Sequence, residues 1–84
     1  MKLVFAEQAW EDYLYWQQQD KRMAKRINEL IRDTQREPFT GLGKPEPLKH
    51  ALAGYWSRRI TEEHRMVYKP ENDALLIAQL RYHY

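Results

Sequence analysis

The residues with the greatest chemical capacity stand at the last four positions, Arg81-Tyr82-His83-Tyr84. They follow Ala74-Leu75-Leu76-Ile77-Ala78, an apolar run that reads as a core strand. One strand therefore carries a cation, an imidazole and two phenols out of the core. Imidazole titrates nearest neutrality and is the commonest general acid–base group. A second dense stretch, Trp56-Ser57-Arg58-Arg59-Ile60-Thr61-Glu62-Glu63-His64-Arg65, supplies three guanidinium groups. These planar, permanently charged forks match phosphate geometry. A third stretch, Gly43 to His50, sets Glu46 between Pro45 and Pro47 and beside Lys44 and Lys49. The prolines hold that carboxylate in an extended segment. A carboxylate, an imidazole and several guanidiniums form the set that phosphodiester chemistry needs.

Plainer readings stand beside each feature. His83 alone could be an exposed terminal histidine, the arginines a solvated edge strand, and the Glu46 segment an ordinary surface loop. His50 and His64 have no spacing to a second ligand, and a zinc site needs three or four convergent ones. With no cysteine there is neither a disulfide framework nor a thiolate ligand. Gly41-Leu42-Gly43-Lys44 lacks the pattern of a nucleotide-binding loop. No metal and no cofactor are expected.

Elements must position these groups. Leu3-Val4-Phe5 reads as a first strand and residues 6–18 as a helix with Ala6, Trp10, Tyr13 and Leu14 on one face. Asp20 is an N-cap for a second helix to about Gln35. Its apolar stripe is Met23, Ile27, Leu30, Ile31 and Thr34. Lys21, Lys25, Arg32 and Arg36 lie opposite, flanked by Arg22 and Arg26, as a solvated face or a surface for an RNA backbone. Pro38 and the Gly41–Pro47 segment form a loop. Tyr55–Ile60 and Arg65–Lys69 read as a hairpin, Pro70–Asp73 as a turn and Ala74–Tyr82 as the last strand. The order β-α-α-β-β-β predicts an α+β domain: an antiparallel sheet with both helices on one face. Alternation places Leu76, Ala78, Leu80 and Tyr82 towards the helices, and Leu75, Ile77, Gln79, Arg81 and His83 on the open face. Arg59 and Arg65 share a face only if an odd number of residues joins their strands.

The 84 residues make one domain with net charge +2. The N-terminal apolar run is too short for a signal peptide, and none approaches the roughly 20 residues of a membrane span. A cytoplasmic protein is expected.

Taken together, Lys44-Pro-Glu-Pro-Leu-Lys49, Trp56 to Arg65 and Arg81-Tyr-His-Tyr84 resemble the YoeB family of bacterial toxins, within the RelE/ParE superfamily of toxin–antitoxin systems. The similarity runs the full length and includes Trp10 to Trp16 and Asp20-Lys21-Arg22. It implies a RelE-like microbial ribonuclease fold and a ribosome-dependent messenger-RNA endonuclease neutralised by a YefM-type antitoxin. It also implies roles: Glu46 as general base, His83 as general acid and Arg65 as phosphate stabiliser, with Lys49, Arg59 and Tyr84 binding substrate. Lys21, Arg22, Lys25, Arg26 and Arg32 are candidates for ribosome docking. A homodimer, and operator DNA reached through the antitoxin complex, complete the expected partners. Departures from the pattern are Lys69-Pro70, Gln79-Leu80 where smaller residues are familiar, and Ala6. Ala6 lacks a capping hydroxyl, a loss of about 1 kcal/mol. The Arg81–Tyr84 end is expected to move cheaply when antitoxin binds. Two other functions remain on the sequence: a ParE-like gyrase inhibitor without RNA chemistry, and a non-catalytic nucleic-acid-binding module. The pairing of Glu46 with His83 argues against the first, since a binder has no need of them.

Overall fold

In the computed structural model, which describes residues 1–82, capping and apolar spacing account for the second of the two helices. α1 (Glu7–Gln19) and α2 (Lys21–Arg36) are separated by Asp20 alone. Its extended backbone ends α1, and its carboxylate accepts the N–H groups of Arg22 at 3.0 Å and Met23 at 3.2 Å. That is the capping expected of an aspartate. The α2 stripe Met23, Ile27, Leu30, Ile31 and Thr34 is buried as its spacing predicts. Ala6 makes no side-chain cap, so α1 starts without that support.

The α1 face differs from expectation. Ala9, Asp12 and Trp16 are buried, while Trp10 is 46% and Leu14 39% exposed. The reason is polar. Asp12 and Trp16 both bond the backbone of Leu80, and this turns their face inward. Trp10 instead stacks on Tyr13 at 5.7 Å and meets Phe5 edge-on, forming an aromatic cluster at the surface.

Five strands form one sheet in the order β1-β5-β4-β3-β2: β1 (Lys2–Phe5), β2 (Glu46–Pro47), β3 (Trp56–Arg59), β4 (Arg65–Glu71) and β5 (Ala74–Gln79). β1 pairs parallel with β5, and all other neighbours are antiparallel. The sheet is therefore mixed, with an antiparallel C-terminal portion as predicted. β2 is an addition that two prolines concealed; at a sheet edge a proline is tolerated. β4 runs on through Pro70 and Glu71, and the turn narrows to Asn72-Asp73, with Asn72 at φ 49°. The β3 ladder ends at Tyr68, so Pro70 has only one neighbouring strand.

The predicted facing of β5 is reversed over its first half. Leu75 and Ile77 are fully buried in the core with Ile27, Leu30, Met66 and Tyr68, whereas Leu76 is half-buried on the other face. The cause is a bulge. Tyr68 pairs with Ile77 but Val67 pairs with Gln79, so Ala78 is an extra residue. Counting back from Leu80, also fully buried, gives the wrong parity for everything before the bulge. The strand ends at Gln79, and Arg81 turns to the helix side rather than the open face.

Candidate active site on the open face of the sheet

Register assembles the site. Five residues, Ile60 to His64, join β3 to β4, and Arg59 stands directly opposite Arg65. The odd count puts both guanidiniums on one face. One row crosses four strands: Glu46 opposite Ser57, Ser57 opposite Val67, Val67 opposite Gln79. The Arg59–Arg65 pair is the next row on the same face. Strand spacing and rise put the Glu46 and Arg65 Cα atoms about 12 Å apart, with long side chains reaching over the gap. Ser57 at 1% and Val67 at 3% exposure make its floor. Like charges directly opposite destabilise a sheet, so this pair is retained at a cost. The Arg65 Nε is buried and has no hydrogen-bond partner among the described residues.

The loop that leads to the Glu46 segment is held from behind by Arg58, the largest fully buried side chain among the described residues. Its guanidinium bonds Asp33 at 2.7 Å and donates to the carbonyls of Glu37 (2.7 Å), Thr40 (2.8 Å) and Leu42 (3.0 Å). Its Nε meets the Tyr68 hydroxyl, which donates to the Pro38 carbonyl at 2.7 Å. The Leu42 N–H and the Arg58 guanidinium hold the Asp33 carboxyl down at about 2. Burial pushes the Tyr68 phenol up. One arginine thus ties the whole loop after α2 to the sheet. Gly43 continues the attachment: its carbonyl accepts from Arg59 N–H at 2.6 Å. A Cβ there would lie 2.8 Å from the Arg59 carbonyl, and φ is +76°, so only glycine suits this approach. Beyond it, Lys44 at φ 51° and His50 at φ 59° bracket Glu46 with left-handed residues. Such backbone strain gathers at functional sites. Glu46, Lys49 and His50 line one depression of about 360 Å³.

The segment after β5 is more firmly held than its position suggests. The Asp12 carboxylate accepts the Leu80 N–H at 3.0 Å, and the Trp16 indole donates to the Leu80 carbonyl at 2.9 Å. The Arg81 guanidinium lies 3.7 Å from the Tyr15 ring centroid and donates to the Tyr82 hydroxyl at 2.9 Å. Arg65 N–H donates to the Tyr82 carbonyl at 3.1 Å. The expectation of a cheaply moved end therefore does not hold for Arg81 and Tyr82. His83 and Tyr84 lie outside the described residues.

Glu46, Arg59 and Arg65 come together on the open face, with Lys49 beside Glu46. The α2 cations divide. Lys21, Arg22 and Lys25 are exposed at the start of the helix, and Arg26 reaches towards the hairpin, 3.4 Å from the Arg59 carbonyl. Arg32 instead borders the groove beside Phe5, Trp10 and Tyr13. Cations at a helix N-terminus oppose its dipole, by about 0.3–1 kcal/mol each. Sequence reasoning missed Asp12, Trp16, His64 and Gln79 as holders of the last residues. Hydrophobic spacing gave no signal for them, because it turned Trp10 and Leu14 rather than Asp12 and Trp16 inward. Among the described residues no group of His, Asp and Glu could hold a metal ion. No helix is long and apolar enough to cross a membrane.

Residues 5–84 match the family described as YoeB-like toxin of bacterial type II toxin-antitoxin system. The chain belongs to the YoeB-like toxins. It is 68% identical to toxin YoeB of Escherichia coli (strain K12) over 84 residues, the full length of both chains. A YoeB/ParE toxin structure from Agrobacterium tumefaciens shares 56% identity with a TM-score of 0.98, covering all of both chains. Staphylococcus aureus YoeB has been solved as a dimer (49% identity, TM-score 0.93) and in complex with YefM (48%, TM-score 0.92). Each covers 100% of this chain and 98% of the relative. YoeB-like toxins thus account for both the two-helix layer and the mixed sheet found here.

Proposed function

We propose that this YoeB-like toxin cleaves messenger RNA on the ribosome by metal-independent transesterification. The observation that carries the reading is the register that brings Glu46, Arg59 and Arg65 onto one open face, with the Tyr82 carbonyl bonded to the Arg65 N–H. RNA supplies its own nucleophile. Glu46 takes the proton from the 2′-hydroxyl or orients it, and the 2′-oxygen attacks phosphorus. Arg65 and Arg59 stabilise the charge that accumulates on the phosphorane oxygens. His83, covalently next to Tyr82, protonates the departing 5′-oxygen. The P–O5′ bond breaks as the P–O2′ bond forms, leaving a 2′,3′-cyclic phosphate and a 5′-hydroxyl. Acid–base assistance of this kind contributes about 10²–10⁴-fold. Lys49 neutralises phosphate next to Glu46, and Tyr84 stacks on or bonds the substrate, as aromatic side chains do with unstacked bases.

Lys21, Arg22, Lys25 and Arg26 meet ribosomal RNA, and Arg32 is the outlying member of that set. A YefM-type antitoxin silences the enzyme in the cytoplasm, by analogy with the S. aureus complex. The dimer of that relative supports a homodimer here, and operator DNA is reached only through the antitoxin complex. The decisive experiment is primer extension on a translated message with and without the toxin. Cuts that require ribosomes support the reading. An uncut message, with growth still arrested, would replace it with a binding toxin.

A further inference from the structure

We propose that His64 is a positioning residue for the acid–base end of the chain, with Gln79 as a second hold; the inference rests on the nuclease reading above. His64 is the last residue of the β3–β4 connection and is 8% exposed. Its ring meets Trp16 edge-on at 5.0 Å and Tyr82 at 5.4 Å. Its Nδ1 accepts the Tyr82 backbone N–H at 2.7 Å, and its Nε2 lies 3.5 Å from a Glu63 carboxylate oxygen. Accepting at Nδ1 requires a ring with its lone pair there, so the bond selects the Nε2–H tautomer. Thr61 Oγ1 accepts the N–H groups of His64 and Glu63, at 3.1 and 3.2 Å, and shapes the turn that delivers the ring.

The bond acts on an unusual residue. Tyr82 has φ 62°, the left-handed region that bulky L-residues rarely occupy. A conformation of that kind persists only where its surroundings over-determine it. Here three backbone groups around it are held. The Arg81 carbonyl accepts from Gln79 Nε2 at 2.7 Å, and the Tyr82 N–H is taken by His64. The Tyr82 carbonyl accepts from Arg65 N–H at 3.1 Å and more weakly from Gln79 Nε2 at 3.4 Å. The Tyr82 N–H and carbonyl are thus both held, the last backbone groups before His83 in the sequence. Gln79 stands on the open face opposite Val67, so this hold is built from the floor of the site. Arg65 contributes twice, its side chain to phosphate and its N–H to the same carbonyl. On the nuclease reading, backbone bonds at Tyr82 act on the residue that precedes the acid, and catalysis is sensitive to small displacements of this kind.

Simple aromatic packing is the competing role for His64, and substitution separates the two. The asparagine amide oxygen reproduces an acceptor at the Nδ1 position; glutamine carries its oxygen farther, towards Nε2; leucine fills space with no acceptor. Cleavage on programmed ribosomes is measured as kcat and KM for the wild type, His64→Asn, His64→Gln, His64→Leu and Gln79→Ala. Amide exchange at Tyr82 is followed in each free protein. His64→Leu and His64→Gln should lose about tenfold or more in kcat with KM nearly unchanged, and Tyr82 should lose protection, as expected when a buried amide loses its acceptor. His64→Asn should recover most of both. Gln79→Ala should cost a smaller, roughly two- to fivefold share, because other bonds to its two carbonyl partners' segment remain. If His64→Leu does not fold, the Asn and Gln pair makes the same comparison. Equal kcat and equal Tyr82 protection in the Asn and Gln variants would overturn the proposal in favour of packing. A wild type that does not cleave would sink the nuclease reading, while the exchange pattern alone would still decide whether His64 holds the segment.

Discussion

Removing the Asp33 carboxylate should destabilise the domain and the loop that carries Glu46 together. Asp33 is the acidic partner of Arg58, whose side chain has no solvent exposure. Losing one member of a buried pair costs about 3–5 kcal/mol. Here the loss should fall at or just below the lower end, about 2–3 kcal/mol, because three carbonyls continue to accept from Arg58. Set against the roughly 4–12 kcal/mol expected for a domain of this size, that is a large fraction. The pH dependence supplies an internal check. The Asp33 carboxyl lies at about 2 in the fold against an ordinary 3.8. The difference is worth about 1–2 kcal/mol once discounted for the carboxylate's partial exposure to solvent. A depressed folded value stabilises above the unfolded pKa, and that contribution disappears as pH falls through the folded one. The gap between wild type and Asp33→Asn should therefore be full at neutral pH and shrink from about pH 4 to about pH 2. Urea unfolding followed by tryptophan fluorescence across that range measures it, and the cleavage rate of the variant reports on the Glu46 loop. A gap below about 0.5 kcal/mol at neutral pH, or one that persists undiminished at about pH 2, would refute the reasoning.

His83→Ala, Arg65→Ala and Glu46→Ala should each remove most toxicity and cleavage while melting temperatures stay near that of the wild type; a His50→Ala variant as inactive as His83→Ala would transfer the acid role to His50. Product ends should be a 5′-hydroxyl and a 2′,3′-cyclic or 3′-phosphate, formed equally in EDTA under conditions that keep ribosomes intact, and end-labelling that finds a 5′-phosphate would exclude the mechanism. Replacing Lys21, Arg22 and Lys25 by alanine should weaken ribosome binding and flatten its salt dependence as fewer counterions are released, without loss of helix content, since these cations oppose the helix dipole; unchanged affinity would remove α2 from the docking surface.

Local chemistry was legible where a single rule decided it. Asp20 capped α2, the α2 stripe was buried, and the hairpin followed from its polar connection. The face of Arg59 relative to Arg65 was reduced to the parity of one loop, which five residues then settled. Three features escaped for physical reasons. The bulge at Ala78 inverted the facing of β5, and alternation has no means of showing an inserted residue. The inner face of α1 was chosen by hydrogen bonds from Asp12 and Trp16 to Leu80, some 65 residues away; hydrophobicity favoured Trp10 and Leu14 instead. Arg58 read as one more surface cation beside Arg59 and Arg65, yet it is enclosed by carbonyls from a loop that local pattern left unplaced. Residue types and the familial motifs singled out Glu46, Arg59 and Arg65, which the register brings onto one face. The geometric support of that set was not legible, because that support consists of backbone bonds between distant segments.

The parallel pairing of β1 with β5 sets the order in which the sheet can be completed. β5 is an interior strand, flanked by β1 and β4, although it is the last strand in chain order. The first strand has no partner in the sheet until residues 74–79 have been synthesised. A partial sheet of β2, β3 and β4 would lack Leu75, Ile77 and Leu80 of the core. Pairings this remote along the chain form late and slowly. The open face that carries Arg59 and Arg65 is thus assembled on no shorter N-terminal piece of the domain: its core and the Arg65 N–H gain their last partners only from β5 and the segment that follows it.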